Sequence, residues 1–132
     1  MPTVATGSFT VELTPEGEPD TVEGVSLGRM SLVKRFVGDL AGAGSGTMLS
    51  ARGAADGSAG YVAIERVVGT LHGKAGSFVL QHSGTMHAGD HDLSITVVPG
   101  SGTGDLAGLS GALTLTIVDG RHDYALEYSL PE

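Results

Sequence analysis

Apolar and polar residues alternate with a period of two through most of this 132-residue chain, and this pattern constrains the fold more than any other feature. Between residues 3 and 13, for example, Phe9, Val11 and Leu13 fall on one face and polar residues lie between them. Turn residues interrupt the alternation about every ten residues, which is typical of antiparallel strands joined by short loops. The chain is therefore predicted to be all-β.

Eight segments are predicted as strands. They are residues 3–13, 25–37, 40–52, 58–71, 75–87, 90–99, 109–118 and 121–130. Because short turns join successive strands, an up-and-down antiparallel barrel of eight strands is the simplest arrangement, and closing the ring removes exposed edges. A two-sheet β-sandwich is the alternative. The length fits one domain, expected to be a single β-barrel over residues 1–132.

Residues 25–37 are harder to assign, because several valines and Phe36 could also form one face of a helix. Gly24 and Gly28 lower helix stability and no capping residue stands out, so a strand is favoured. Residues 40–52 form a glycine-rich strand of the kind that bends at a barrel corner.

The C-terminal hairpin is predicted with its register. Asp119 and Gly120 are the preferred pair for a type I′ turn, which places Leu115 opposite Tyr124. In this register the apolar and polar residues separate onto opposite faces, as expected where one face is buried.

A second hairpin supplies the main chemical feature. A two-residue loop at residues 73–74 places Glu65 opposite His82. In a poorly solvated barrel interior, this carboxylate and imidazole would change each other's proton affinity. Such a pair can transfer a proton in an isomerisation or a cyclisation, so Glu65 and His82 are the predicted catalytic residues. The alternative is a buried ion pair that only fixes the register.

A third hairpin, with its turn centred on residues 56–57, places Met48 opposite Glu65. It also places Arg52 opposite Tyr61 at the barrel mouth, where the guanidinium could hold an anionic ligand group. An ordinary surface arginine is the alternative. The predicted ligand-binding residues are Met48, Arg52, Tyr61, Val67, Phe78, Leu80, Tyr124 and Tyr128. The predicted inward face contains Glu65, Val67, Phe78, Leu80, His82, Leu115, Tyr124 and Leu126.

Charge and composition exclude several partners. The net charge is −8, and Lys34-Arg35 is the only adjacent basic pair, so no nucleic-acid partner is expected. The first residues lack a secretory signal and no apolar run reaches about 18 residues, so we expect a cytoplasmic protein with no membrane partner.

No metal or cofactor is predicted. The chain has no cysteine, and the histidines and aspartates of HAGDHD (residues 87–92) lie on a turn that fixes no tetrahedral geometry. The glycine-rich run at residues 97–111 contains a loose dinucleotide-binding pattern but no following helix, so a structural turn is favoured.

The same run carries a resemblance to a known group of proteins. GSGTGDLAGLSG (residues 100–111) resembles a signature shared by allene oxide cyclases and plant dirigent proteins. Together with residues 61–66, 69–71 and 76–82, it is similar to a bacterial domain-of-unknown-function family grouped with the allene oxide cyclase-like barrels. The resemblance covers residues 30–130. It implies an eight-stranded barrel and no particular activity.

Three functions stay open. The first is a cofactor-independent isomerase or cyclase that uses Glu65 and His82 on a small apolar substrate in the lumen. The second is a non-catalytic barrel that binds or carries a small apolar ligand. The third is an interaction protein with a filled lumen, for which a homo-oligomer is one form. An open cavity on the Glu65 face would favour the first two.

Overall fold

The computed structural model describes residues 2–55 and 57–131, and these residues form strands without any helix. The strands are β1 (Thr3–Pro15), β2 (Asp20–Val22), β3 (Val25–Gly38), β4 (Leu40–Arg52), β5 (Ala59–Leu71), β6 (Lys74–His87), β7 (Asp90–Val97), β8 (Thr103–Gly104), β9 (Ser110–Val118) and β10 (Arg121–Ser129). Each of the eight predicted strands is observed with ends within two residues of those expected; β2 and β8 are short additions.

The eight long strands close into a ring. Their order is β1-β10-β9-β7-β6-β5-β4-β3, and β3 pairs back with β1. Every pairing is antiparallel, and the weakest seam joins β7 to β9 through one residue pair, Thr96 with Ala112. The predicted eight-stranded barrel is confirmed. The β-sandwich alternative is wrong, because one continuous sheet closes on itself instead of forming two stacked sheets.

Two-residue turns with glycine in the second position fix the register of four strand pairs. They are Glu23-Gly24, His72-Gly73, Ala88-Gly89 and Asp119-Gly120, in which both residues have positive φ. This is the type I′ geometry, whose twist matches that of the flanking strands. The register predicted for the C-terminal hairpin, with Leu115 opposite Tyr124, is confirmed.

The register predicted for the β5–β6 hairpin is wrong by two residues. The turn lies on His72 and Gly73, so Glu65 is opposite Leu80 while His82 is opposite Ala63. Histidine tolerates the left-handed conformation better than most residues, which lets the glycine take the second turn position. A slip of two residues leaves every side chain on its predicted face.

The β4–β5 register differs from the prediction in the same way. These strands are joined by residues 53–58, and the Gly53 N–H donates to the Ser58 carbonyl at 2.8 Å. Asp56, which belonged to the predicted turn, lies outside the described residues. Met48 is therefore opposite Ala63 and not Glu65.

The same shift puts Arg52 opposite Ala59 and not Tyr61. A tight turn at residues 56–57 was the wrong assumption in both cases, because the loop is six residues long.

The barrel has a closed end and an open end. The closed end holds the β3–β4 and β5–β6 turns, and the segment 98–109 packs over it with Leu106 and Leu109 buried. Its packed side chains include Phe36, Leu40, Val67, Leu71, Phe78, Leu80, Leu106, Leu109, Tyr124, Leu126 and Tyr128. The open end holds the loops after β4, β6 and β9. All eight residues predicted to face inward do so: seven are buried, and Leu115 is half-buried against the core.

Candidate functional site

Three ionisable side chains meet inside the barrel, between its two ends. Glu65 Oε1 lies 2.9 Å from His82 Nε2 and accepts a hydrogen bond from Lys34 Nζ at 3.1 Å. Glu65 is fully buried, and Lys34 and His82 are each less than one-tenth exposed. The structure therefore brings the two predicted catalytic residues together and adds a buried lysine. We call these three residues the interior ion cluster.

A glycine makes room for this cluster. A Cβ atom on Gly44 would collide with Glu65 Oε2 and would lie 3.2 Å from Phe36 Cε2. Oε2 is buried and has no hydrogen-bond partner among the described residues. Gly44 was expected only to help a strand bend; here it creates the space for a buried carboxylate.

Lys34 stands out in the sequence only as half of a basic pair and is not among the predicted site residues. Its ammonium lies 4.8 Å from the centre of the Phe9 ring and 5.9 Å from that of Phe36, so both rings can stabilise its charge. The sequence does indicate that Lys34 faces inward, because it lies between Leu32 and Phe36 at every second position of one strand. Lysine is rarely buried unless it is paired, and its acidic partner lies 31 positions away.

A cavity of about 320 Å³ occupies the open end of the barrel. Its lining comes from six strands and comprises Met48, Ala59, Gly60, Tyr61, Gly84, Thr85, Met86, His91, Asp92, Leu93, Leu115, Ile117 and His122. Most of the wall is apolar. Ile117 is 65% exposed, Leu93 42% and Met86 36%, so large apolar side chains remain uncovered at this mouth.

Tyr61 and His122 connect this cavity to the interior ion cluster. The Tyr61 ring lies against Gly84, where a Cβ atom would come within 2.6 Å of the ring. Burial and the negative charge of Glu65 together raise the pKa of Tyr61. The His122 ring is 5.1 Å from that of Phe9, which in turn contacts the Lys34 ammonium. The Tyr61 side chain and the pair of His122 and Phe9 rings therefore lie between the cavity and the cluster.

A second depression, of about 430 Å³, lies on the outside of the barrel. It is lined by Thr47, Leu49, Val62, Ala63, Ile64, Gln81, His82 and Ser83. These residues come from the neighbouring strands β4, β5 and β6, and most of them point outward. A trough along three adjacent strands cannot surround a molecule, whereas the open-end cavity is lined from six strands around the ring.

The predicted ligand-binding residues fall into three groups. Met48 and Tyr61 line the open-end cavity. Arg52 is exposed and lines a separate surface depression with Met86. The rest, Val67, Phe78, Leu80, Tyr124 and Tyr128, are packed into the hydrophobic core. The other side chains of the cavity were missed, since a prediction of faces gives no indication of where along a strand the packing ends.

The turn at residues 87–92 contributes to this mouth. Within the described ranges, no three His, Asp or Glu side chains are arranged to hold a metal ion. His91 and Asp92 line the cavity instead, and His87 Nδ1 lies 3.5 Å from Ser58 Oγ. In addition, none of the described residues forms a helix that could span a membrane.

Comparisons with known proteins identify relatives of the whole fold. A family model described as "Protein of unknown function (DUF3224)" matches residues 5–128. The crystal structure of a DUF3224-family protein of unknown function from Shewanella oneidensis MR-1 is similar, with a TM-score of 0.95 and 50% sequence identity. The match covers 100% of this chain and 99% of that one. A search of curated proteins gave no match.

Proposed function

Because this chain belongs to the DUF3224 family, whose description states no activity, we propose from the geometry of the site that the open end of the barrel binds a small apolar molecule. An eight-stranded barrel has room for one small ligand, and ligand cavities typically have volumes of about 300–1,000 Å³ with largely apolar walls. The cavity of about 320 Å³ agrees with both criteria.

The observation that carries this proposal is the uncovered apolar mouth. Ile117, Leu93 and Met86 line a concave space and remain exposed to solvent. Because these side chains are not packed in the core, polar residues at the same positions would not weaken core packing. Each side chain of this kind contributes about 1.5–3 kcal/mol when it is fully removed from water. A ligand seated between them would supply the missing apolar contacts.

Binding without catalysis is better supported than the isomerase or cyclase hypothesis. A general acid or base must come within hydrogen-bonding distance of its substrate. Glu65 and His82 are not among the residues lining the cavity, and Glu65 Oε1 is already engaged by two partners. Their catalytic role remains a prediction, as does the resemblance to allene oxide cyclases. The third hypothesis assumes a lumen filled by side chains; packed side chains fill the closed end, whereas the open end contains the cavity.

Titration with the neutral fluorophore N-phenyl-1-naphthylamine tests the proposal. The wild-type protein should give a saturable increase in fluorescence with one site per chain. Ile117→Gln, at the mouth, should weaken binding about five- to tenfold, because it replaces an apolar contact with a polar group. Ile64→Gln is the matched control, since Ile64 is 53% exposed in the outer depression.

The control also tests the competing site. The proposal is wrong if the fluorophore does not bind, or if Ile64→Gln weakens binding while Ile117→Gln has no effect. Both substitutions affect exposed side chains, so the melting temperature should change little and a loss of binding would not reflect unfolding.

A further inference from the structure

The polar groups of the open-end cavity restrict the class of molecule that it can accept. The titratable residues in the described lining are Tyr61, His91, Asp92 and His122, without any lysine or arginine. Behind the lining stands Glu65, whose negative charge reaches Tyr61. An anionic ligand would therefore meet the Asp92 carboxylate and no lysine or arginine in the described lining, because the Lys34 ammonium behind it is paired with Glu65. The whole chain also carries a net charge of −8.

Tyr61 is one of the hydrogen-bond donors of the lining. His122 is also half-buried, whereas Thr85 and His91 are exposed. The pKa of Tyr61 is raised by burial and by Glu65, so the phenol keeps its proton at neutral pH. Its hydroxyl has no side-chain hydrogen bond to the described residues and is not one of their buried unpaired polar atoms, so it is accessible to a bound molecule or to water. An acceptor on a bound molecule would take the place of the water that such an accessible hydroxyl otherwise contacts.

A cationic ligand is also disfavoured. The carboxylate of the lining, Asp92, is exposed at the rim, and the surrounding walls are Met48, Met86, Leu115 and other apolar side chains. Moving a positive charge from water into such walls is unfavourable unless a buried counter-ion is in contact. Glu65 cannot serve, because it is already paired with Lys34.

We propose, building on the ligand-binding function argued above, that the ligand is a neutral apolar molecule with an oxygen atom that accepts a hydrogen bond from the Tyr61 hydroxyl. Ketones, aldehydes and ethers have this chemistry. Carboxylates, phosphates and ammonium compounds do not.

Four small probes of similar size separate these classes: acetophenone, ethylbenzene, benzoate and benzylamine. Each is used to displace N-phenyl-1-naphthylamine from the wild type at pH 8, where histidine is ordinarily neutral and benzylamine is still cationic. Acetophenone should displace the fluorophore at a concentration at least tenfold lower than benzoate or benzylamine.

Tyr61→Phe then tests the donor. It should raise the Kd of acetophenone about three- to tenfold, the usual effect of losing one hydrogen bond, and leave the Kd of ethylbenzene unchanged. Tyr128→Phe is the matched control, because Tyr128 lies at the closed end and its hydroxyl contacts His72. That variant should leave the Kd of both probes unchanged.

The outcomes distinguish this inference from the function on which it rests. If the fluorophore binds but Tyr61→Phe does not change the Kd of acetophenone, the donor role is wrong and the binding function stands. Tighter binding of benzoate or benzylamine than of acetophenone would overturn the neutral-ligand class in the same way. If the fluorophore does not bind the wild type, both proposals fall together.

Discussion

The two ends of this barrel are built from the same strands with the same alternation of apolar and polar residues. Inward side chains are nevertheless buried at one end and exposed at the other. On β9, Leu113 is 5% exposed and Ile117, four residues along the same face, is 65% exposed. The closed end is completed by the segment 98–109, which inserts Leu106 and Leu109 over the core. The open end has no such cover among the described residues. Alternation therefore determines which face a side chain joins, and the connecting segments determine whether it is buried.

The interior ion cluster lies between these two ends, and its loss should have the largest effect on stability. Glu65→Leu leaves Lys34 and His82 without their carboxylate in a buried site. Breaking a buried ion pair on one side typically costs about 3–5 kcal/mol of unfolding free energy. Urea denaturation followed by circular dichroism would measure this loss.

The control removes the whole cluster. The triple variant with Lys34→Met, Glu65→Leu and His82→Leu has no unpaired charge left, so it should recover most of the stability lost by Glu65→Leu. Replacing Glu65 and His82 alone should not, since Lys34 would remain buried without a partner. A triple variant no more stable than Glu65→Leu would show that the cluster itself stabilises the fold.

A matched pair of leucine truncations compares the ends directly. Leu126 is fully buried at the closed end, whereas Leu93 is 42% exposed in the open-end cavity. Leu126→Ala should cost about 2–5 kcal/mol, because a cavity forms in a packed core. Leu93→Ala should cost about 0.5 kcal/mol or less, as for most exposed positions. Equal costs, measured by chemical denaturation, would contradict the division into a packed and an open end.

The sequence was sufficient to predict the strands and their faces, because alternation survives any even change in loop length. It was insufficient for two registers. His72 takes the left-handed first position of a type I′ turn, where Asn, Asp or Gly is preferred. The β4–β5 loop is longer than the two-residue turn assumed.

The chemistry of the interior was only half predictable. Glu65 and His82 follow from the alternation of their strands, whereas their link to Lys34 depends on how β3, β4 and β5 pair around the ring. The open-end cavity could not be predicted, because no local pattern shows where packing along a strand stops.

A second matched pair compares tyrosine hydroxyls at the two ends. The Tyr124 hydroxyl accepts a hydrogen bond from the buried Leu40 N–H at 2.9 Å and lies 3.0 Å from the Val37 carbonyl oxygen. Tyr124→Phe should cost about 1–3 kcal/mol, since the Leu40 N–H loses its partner. Tyr61→Phe should leave stability unchanged, because its accessible hydroxyl has no side-chain hydrogen bond to lose among the described residues. Thermal melts of both variants measure this difference. A larger decrease in melting temperature for Tyr61→Phe than for Tyr124→Phe would contradict the prediction.

The smallest expected effect is a pH dependence at the closed end. Asp39, in the β3–β4 turn, accepts a hydrogen bond from the Thr6 N–H at 3.0 Å, and its carboxylate lies 3.4 Å from His72 Nε2. The hydrogen bond from the Thr6 N–H lowers the pKa of Asp39 below its ordinary 3.8; desolvation opposes this decrease, and the charge of His72 adds to it. A carboxyl group with a lowered pKa in the folded state stabilises the fold above its unfolded pKa. That contribution is lost as the pH falls below about 4 and through the lower pKa of the folded state.

Asp39→Asn, which cannot titrate, should therefore show a shallower fall in its urea midpoint between about pH 5 and pH 2 than the wild type. Identical slopes would mean that the link between β1 and this turn does not depend on the charge of Asp39.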